Sequence, residues 1–452
     1  MYVTNTPSVG FFRNYLYMGL AIRTFSEEAP ARGVEGEDPG AHGAVFADFN
    51  NDGEFDLVVG NAMGQDRIYR NDAGFFTDMT AGSGLDGTDF ETRGVAVGDF
   101  TGDGLYDFIM TNPVFDLDPR FFNNLGDFDF LAEDAGLDYT GFTQGVTVGD
   151  VDNDGDLDLI ESLWGSLNAG GRTNRLWLND GLGYFFDGSD AVGFTFSHDS
   201  ARAYNGSVLG DTDNDGDLDL LVIGEVLRFF RNEGGGAFLE ITDLTGLEGA
   251  AFGAAMGDLD NDGDLDVVVA DSDGPYSVWD NIGDNSFVRR STLTPPPGGN
   301  VDPRGVALAD YDNDGDLDIA IAHKLATTQL WRNEAGASNY LKLRLANAEG
   351  QAGPIGTKVY VYIAGQLDQA SALLAYREIG SATGYVTQDS PVVHVGLGTR
   401  TSVDIRVSFP DGLSQTRTSV SGLVVINAWE IPNTPSGSWR IRGLLLLLQG
   451  LF

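Results

Sequence analysis

The chain has 452 residues, of which 42% are hydrophobic and 62 are glycines, and it contains no cysteine. This length can supply a large core in two or three domains, the glycine content is typical of a turn-rich all-β protein, and disulfide bonds and thiolate chemistry are excluded. With 68 acidic and 26 basic residues the formal net charge is −42, which argues against nucleic acids and anionic membrane surfaces as partners.

The first 42 residues precede an acidic repeat that organises the rest of the chain. Residues 1–22 are interpreted as an N-terminal extension with an apolar patch at 15–22, but without a basic start or a small-residue cleavage site, so a signal peptide is not evident. Residues 23–29 read R-T-F-S-E-E-A and are followed by Gly33 and Val34, a pattern that ends each later repeat. We predict one strand here that has no repeat of its own.

An acidic nine-residue motif then recurs six times, and its third copy reads D-V-D-N-D-G-D-L-D at residues 150–158. The steps between the starts of the copies are 51, 51, 61, 47 and 52 residues. Such a period indicates a repeat architecture. We number the copies loops one to six; they cover residues 48–56, 99–107, 150–158, 211–219, 258–266 and 310–318.

Each loop places oxygen-bearing side chains at positions 1, 3, 5 and 9 around a glycine at position 6, and position 7 can add its carbonyl. Alternating oxygens around a sharp glycine turn can converge on one hard cation, and calcium fits better than magnesium, which demands a tighter octahedron, or zinc, which prefers histidine and cysteine. The candidate ligands are Asp48, Asn50, Asp52, Glu54 and Asp56; Asp99, Thr101, Asp103, Leu105 and Asp107; Asp150, Asp152, Asp154, Asp156 and Asp158; Asp211, Asp213, Asp215, Asp217 and Asp219; Asp258, Asp260, Asp262, Asp264 and Asp266; and Asp310, Asp312, Asp314, Asp316 and Asp318.

The alternative is that these loops are acidic surface turns without a metal. Two carboxylates about 5 Å apart repel by roughly 3 kcal/mol at an effective dielectric near 20, and every loop holds several such pairs. A bound cation relieves this repulsion, so we predict up to six Ca²⁺ ions. An EF-hand is not indicated, because Glu161 at position 12 of the third copy has no acidic counterpart in the others and the flanks read as strands.

Four short strands accompany each loop: strand A before it, strand B after it, then strands C and D. The B strands are near-continuous apolar runs such as residues 218–223, which indicates burial on both faces. Four strands per repeat of about 50 residues predict a β-propeller with one blade per repeat. Blade six shows no fourth strand, so we predict that residues 23–29 fill its place. This gives six blades, with seven possible if residues 1–25 build most of another.

After Gly336 the pattern changes. Residues 339–345 alternate as a half-buried strand should, and I-G-T-K-V at 355–359, R-E at 377–378, G-Y at 384–385, H-V-G-L-G at 394–398 and P-D-G at 410–412 follow. These segments predict a second, smaller β-rich domain at 337–432. Residues 433–452 form a C-terminal tail, and its last ten residues, 443–452, which contain five consecutive leucines, are too few to span a bilayer.

The repeats at 23–336 resemble the FG-GAP/VCBS type of integrin α-subunit propellers, and residues 337–432 resemble the ASPIC/UnbV domain of the cartilage acidic protein family. The resemblance implies an all-β chain, a β-propeller followed by a small β-sandwich-like domain. It also implies that the loops join strands A and B, on the face opposite the usual ligand-binding surface, where the metal is structural. Thr387, Val395 and Phe409 depart from the usual residues of the second family.

No catalytic motif accompanies this architecture, and none of the four histidines has a recurring metal or triad spacing. We therefore expect a non-enzymatic, calcium-binding adhesion or binding protein that acts on protein or glycan at the cell surface or in a matrix. Short loops of this kind bind calcium at about 10⁻⁴ to 10⁻³ M, which favours an extracellular location. The alternatives are a secreted lyase or glycosidase and a structural subunit of a surface assembly; a homo-oligomer is compatible with each.

The second loop is predicted to bind calcium most weakly. It contains three carboxylates, because Thr101 and Leu105 replace acids, whereas loop one contains four and loops three to six contain five each. Ligand charge strengthens such sites, so chelation should empty loop two first and expose blade two to hydrogen exchange before the other blades. Retained protection in blade two while blades three to six lose theirs would contradict a ranking by carboxylate count.

Overall fold

The computed structural model describes residues 2–3, 15–20, 24–35, 40–85, 91–113, 118–138, 142–164, 174–191, 193–194, 203–271, 275–296, 302–324, 326–336, 338–348 and 350–427. Its architecture is almost entirely β, as the sequence predicts. Two four-residue helices, α1 (Ala29–Arg32) and α2 (Thr242–Thr245), and a 3₁₀ turn (Ala370–Ala372) are its described helical segments. Within the described residues, no helix is long and apolar enough to cross a membrane.

The chain opens with β1 (Tyr2–Val3), β2 (Tyr15–Leu20) and β3 (Thr24–Glu27), which form the N-terminal sheet. Blade one contains β4 (Ala41–Ala47), β5 (Asp56–Asn61), β6 (Arg67–Asp72) and β7 (Phe75–Asp78). Blade two contains β8 (Val95–Gly98), β9 (Asp107–Met110), β10 (Arg120–Asn124) and β11 (Phe130–Glu133). Blade three contains β12 (Thr143–Gly149), β13 (Asp158–Leu163), β14 (Arg175–Asn179) and β15 (Phe185–Asp187).

Blade four contains β16 (Tyr204–Gly210), β17 (Asp219–Gly224), β18 (Arg228–Asn232) and β19 (Phe238–Glu240). Blade five contains β20 (Ala251–Gly257), β21 (Asp266–Asp271), β22 (Tyr276–Asn281) and β23 (Phe287–Leu293). Blade six contains β24 (Pro303–Ala309), β25 (Asp318–His323) and β26 (Gln329–Trp331). Blades one to five are antiparallel sheets in the order A-B-C-D, blade six has the order A-B-C, and each loop joins strands A and B as expected.

Neighbouring blades are joined by a hydrogen bond that repeats around the propeller. The last asparagine of strand C donates from its side chain to a backbone carbonyl at position 2 of the preceding blade's loop; Asn124 reaches Phe49 at 3.0 Å and Asn179 reaches Phe100 at 3.0 Å. Equivalent bonds run from Asn232, Asn281 and Asn333 to the carbonyls of Val151, Thr212 and Leu259. A polar side chain in a buried seam is therefore satisfied by the adjacent repeat, which fixes the spacing of the blades.

The N-terminal sheet corrects the predicted ring closure. The strand expected to complete blade six, β3, instead pairs antiparallel with β2, and blade six has three strands in the described part of the chain. The ring of Phe25 in β3 lies 5.8 Å from the ring of Tyr311 in loop six. An equivalent contact joins blades one and two: the ring of Phe49 in loop one lies 5.9 Å from the ring of Phe130 in strand D of blade two.

By this equivalence, β3 takes the place of strand D in a blade that follows blade six. On its other side the N-terminal segment shares a core with blade one, where Leu16, Ala29 and Val34 are buried with Leu57 and Tyr69. The described residues therefore contain seven propeller sheets. This is the alternative with seven blades, in which the first 25 residues build most of a blade. The prediction that residues 23–29 complete blade six was wrong, because we recognised one strand in the N-terminal segment, where the structure has the three strands β1, β2 and β3.

The C-terminal part is a sandwich of two sheets. The strands are β27 (Asn339–Ala346), β28 (Lys358–Ile363), β29 (Leu373–Glu378), β30 (Val393–Gly398), β31 (Val403–Ser408), β32 (Ser414–Val420) and β33 (Gly422–Asn427). One sheet has the order β30-β27-β33, with β27 and β33 parallel, and the other has the order β29-β28-β31-β32. Alternation buries Leu341, Leu343, Val359 and Val361 between them, so the residues between these apolar ones face outward.

The sandwich is docked on the propeller through the segment 381–390, which contacts the innermost strands of four blades. Gln388 both donates to the carbonyl and accepts from the amide of Phe46, each at 2.9 Å. The remaining contacts join Ser381 to the amide of Val97, the amide of Gly384 to the carbonyl of Ser207, and Asp389 to the amide of Leu308. We call residues 381–390 the axial segment, because it lies among the A strands that surround the propeller axis.

Replacing Asn124 by alanine tests the bond between blades. Its side chain is fully buried and donates to the carbonyls of Phe49 and Tyr106, so the substitution leaves two buried acceptors unsatisfied. We expect the free energy of unfolding to fall by about 2–4 kcal/mol. The control is Asn123→Ala, whose exposed bond to Glu133 should contribute within about 0.5 kcal/mol. Equal effects of the two variants in denaturant unfolding at saturating calcium would refute the role of Asn124.

Candidate calcium loops

Each loop is folded around the aspartate at its first position. In loop three, Asp150 accepts the amide of Asp154 on Oδ1 at 3.1 Å and the amide of Gly155 on Oδ2 at 2.8 Å. The same pair of bonds occurs in the other five loops. Gly155 has φ of 107°, which disfavours any residue with a side chain and explains the glycine at position 6.

The aspartate at position 9 braces the loop against strand C. Asp158 accepts the amide of Val151 on one oxygen and the amide of Asn179 on the other, both at 3.0 Å. The equivalent residues Asp56, Asp107, Asp219, Asp266 and Asp318 each accept the same two amides. Position 9 therefore organises the backbone of the loop, in addition to any role as a metal ligand.

Position 7 links neighbouring loops through its side chain in the second half of the propeller. Asn153 in loop three donates to Asp217 in loop four at 2.6 Å, and Asn214 in loop four donates to Asp264 in loop five at 2.7 Å. Asn261 repeats the contact with Asp316 at 2.7 Å. These carboxylates accept a hydrogen bond from a neighbouring loop, so the prediction that position 7 offers its backbone carbonyl to a cation stays a prediction.

Three of the predicted carboxylate ligands converge in each of loops three to six. Carboxylate oxygens from positions 1, 3 and 9 lie within 4.8 Å of one another in loops three, four and six, and those from positions 1, 3 and 5 do so in loop five. Loops one and two show no such group of three among the described residues. Asn50 and Thr101 stand at position 3 there, so this position offers no carboxylate in loops one and two.

Sequence reasoning missed Asp280, which lies on strand C of blade five. Its carboxylate comes within 4.8 Å of those of Asp260 and Asp266, and it also pairs with Arg290 at 3.2 Å. The sequence signal is its place directly before the last asparagine of strand C, where blades one, four and six carry arginine. In blade six this arginine, Arg332, donates to Asp312 and Asp314, each at 2.6 Å.

Burial of so many carboxylates disfavours their ionised form. Burial raises the pKa of Asp56 and Asp266 to about 8 and that of Asp219 to about 7, because the desolvation penalty exceeds the benefit of their hydrogen bonds. Neighbouring carboxylates raise these pKa values further. In loop four, the Oδ1 atom of Asp213 is buried without a hydrogen-bond partner among the described residues. A bound cation would favour the ionised form of these carboxylates and would give the Oδ1 atom of Asp213 a partner.

The donor set fits calcium. Every predicted side-chain ligand offers oxygen, and the loops contain no nitrogen or sulfur ligand of the kind that zinc prefers. Position 1 and position 9 are held by backbone amides, which orient their carboxylates within the loop.

The sandwich adds positive groups that the sequence did not lead us to expect in the loops. Lys358 contacts Asp150 in loop three, and Lys342 contacts Asp310 in loop six. Burial opposes ionisation of Lys358, but Glu378 and Asp150 outweigh it and raise the pKa of this lysine. In loop five, the amide of Gly396 donates to Asp258 at 2.6 Å.

The raised pKa values predict how the calcium-free protein responds to pH. A folded state whose aspartates titrate near pH 6 to 8, against about 4 when unfolded, binds more protons than the unfolded state in that interval, so its stability falls as pH rises. We expect a higher melting temperature at about pH 5.5 than at about pH 8 without calcium. Saturating calcium should remove or reverse the difference, because it binds ionised carboxylates. Greater stability of the calcium-free protein at the higher pH would contradict this account.

The chain matches two families of known domains. FG-GAP-like repeats are found at residues 48–110, 224–269 and 258–321, and an ASPIC and UnbV domain is found at residues 348–426. Cartilage acidic protein 1 of Mus musculus is 25% identical over 373 residues, which cover 74% of this chain and 53% of that protein. The Xenopus tropicalis protein of the same name is 30% identical over 135 residues, which cover 29% of this chain and 20% of that protein.

The Vibrio cholerae biofilm matrix protein Bap1 is a distant structural match, with a TM-score of 0.33, 12% identity, and coverage of 85% of this chain and 60% of that chain. A likeness at this level carries no argument. The matched parts span about half or less of the curated relatives' length. The chain thus combines FG-GAP-like repeats with an ASPIC and UnbV domain, as its loops and C-terminal motifs predict, and it is similar to cartilage acidic protein 1.

Proposed function

We propose that the protein is a calcium-binding extracellular or cell-surface binding protein, in which calcium stabilises the loop face of the propeller and the remaining surface contacts protein or glycan. The observation that carries the proposal is the convergence of three carboxylates within 4.8 Å in each of loops three to six. The similarity to cartilage acidic protein 1 and the affinity range expected of short loops support an extracellular location.

When bound, calcium would supply the positive charge that lets buried carboxylates stay ionised together. The chain's own residues do the rest. The aspartate at position 1 accepts hydrogen bonds from amides within the loop, and the aspartate at position 9 accepts one from strand C. The asparagine of strand C donates a hydrogen bond to the preceding blade. A stable loop therefore supports both its own blade and the seam beside it, which gives a rigid scaffold for the strand connections on the opposite face.

A binding role is favoured over catalysis by what fills the propeller axis. The axial segment hydrogen-bonds to the innermost strands of blades one, two, four and six, where a deep central pocket would otherwise open. A cavity of about 160 Å³ lies beside it, smaller than the roughly 300–1,000 Å³ of typical ligand pockets. Its carboxylates have protein partners, since Glu378 accepts the amide of Asp150 and Asp389 accepts that of Leu308. We therefore assign no catalytic residue at the propeller axis.

Calcium titration of the full chain tests the first half of this proposal. We expect up to six equivalents to bind at about 10⁻⁴ to 10⁻³ M, with a rise in melting temperature that magnesium reproduces only weakly. Replacing Asp211 by asparagine in loop four should remove one equivalent, whereas Asp243→Asn, a residue of α2 outside the loops, should remove none. Unchanged melting across calcium concentrations would contradict the proposal.

Screening against arrays of extracellular proteins and of glycans, with calcium and after chelation, tests the second half. Retention on either array that depends on calcium supports a binding role. Turnover of a polysaccharide without stable retention would favour the alternative of a carbohydrate-active enzyme. Assembly into defined oligomers or fibres without retention would favour a structural subunit.

A further inference from the structure

Two of the three lysines in the chain contact equivalent pairs of side-chain oxygen atoms in two different loops. Lys342 Nζ donates to Asp310 Oδ2 at 2.7 Å and to Asn313 Oδ1 at 3.2 Å in loop six. Lys358 Nζ donates to Asp150 Oδ2 and, at 3.3 Å, to Asn153 Oδ1 in loop three. In each loop the acceptors are position 1 and position 4. The third lysine, Lys324, lies exposed at the end of strand B in blade six.

These contacts are built into the sandwich. Lys342 lies between the buried residues Leu341 and Leu343 on the first strand of one sheet, and Lys358 precedes the buried Val359 on the first strand of the other. Alternation along each strand turns the lysine away from the sandwich core and toward the loop face. The side chains are largely buried, at 8% exposure for Lys342 and 14% for Lys358, and their aspartate partners are exposed by 2% and 1%.

Position 1 is also a predicted calcium ligand, so lysine and calcium act on the same carboxylate. An ammonium group there replaces part of the positive charge that the loop lacks without an ion, and it repels a divalent ion that binds the same aspartate. Loops one, two, four and five show no contact between a lysine and an acid among the described residues. Loop six carries a second positive group, since Arg332 pairs with Asp312 and Asp314.

We propose that Lys358 and Lys342 are internal counter-ions that hold loops three and six folded without calcium and lower the calcium affinity of these two loops. The inference rests on the proposed calcium binding and adds its regulation by the C-terminal sandwich. Because coupling between two binding events is reciprocal, calcium in loops three and six weakens the lysine contacts that dock the sandwich there. Calcium concentration then sets how tightly the sandwich is held on the loop face.

The test compares Lys358→Met with Lys324→Met in the full chain. Methionine keeps most of the length of the side chain and removes the charge. Without calcium, Lys358→Met should melt at a lower temperature than the unmodified chain, and amides of residues 150–158 should lose protection from hydrogen exchange. With calcium, one equivalent should bind about ten-fold more tightly, because a unit charge near a divalent ion has been removed. Calcium should therefore raise the melting temperature of Lys358→Met by more than it raises that of the unmodified chain. Lys324→Met should change none of these quantities.

Lys342→Met provides an independent test in loop six, with the same expected signs at residues 310–318. Lys358→Arg keeps the charge and should leave the calcium increment close to that of the unmodified chain, which separates charge from packing if the methionine variant folds poorly. Equal losses of stability with and without calcium would show that the lysines are packing elements and overturn the inference. Weaker calcium binding in the methionine variants would overturn it as well. Failure of the unmodified chain to bind calcium at all would instead contradict the proposed function.

Discussion

The structure depends on how it accommodates carboxylates that are buried close together. Each loop holds an aspartate at its first position and another at its last, and each of these carboxylates accepts two backbone amides. All six last-position aspartates are buried, as are the first-position aspartates of loops one, three, four and five. Those bonds explain why the loop folds, but they leave the charge in place. Burial still raises the pKa of most of the position 9 residues, so the hydrogen bonds alone do not compensate for desolvation. The remaining compensation can come from protonation of the carboxylates or from a nearby positive charge.

Two sources of positive charge meet at the loop face. One is the divalent ion that we propose for the oxygen ligands, and the other is the set of basic side chains that the chain itself supplies. Lys342 and Lys358 arrive from the sandwich, and Arg332 arrives from strand C. In a chain of net charge −42 with three lysines, placing two of them on loop aspartates concentrates scarce positive charge where repulsion is greatest.

The sandwich is thus part of the propeller's construction as well as a neighbouring domain. The axial segment fills the space between the innermost strands, and the outward-facing residues of β27 and β28 reach the loops around it. The face that carries the loops is consequently covered in part by the chain's own C-terminal domain. Contacts with other molecules are therefore expected mainly on the opposite face and on the outer strands.

The sequence by itself determined the repeat, the four strands of the first five blades, the loop positions and the oxygen character of the ligands. These features depend on local spacing: a glycine where φ is positive, aspartates at alternating positions, and an apolar run for each buried strand. The tertiary structure alone decided which sheet β3 joins, that Asp280 approaches loop five, and that Lys358 and Lys342 meet loops 208 and 32 residues away in the chain. Such contacts depend on how separate sheets dock, and a single sequence carries no local pattern that specifies the partner of a charged side chain.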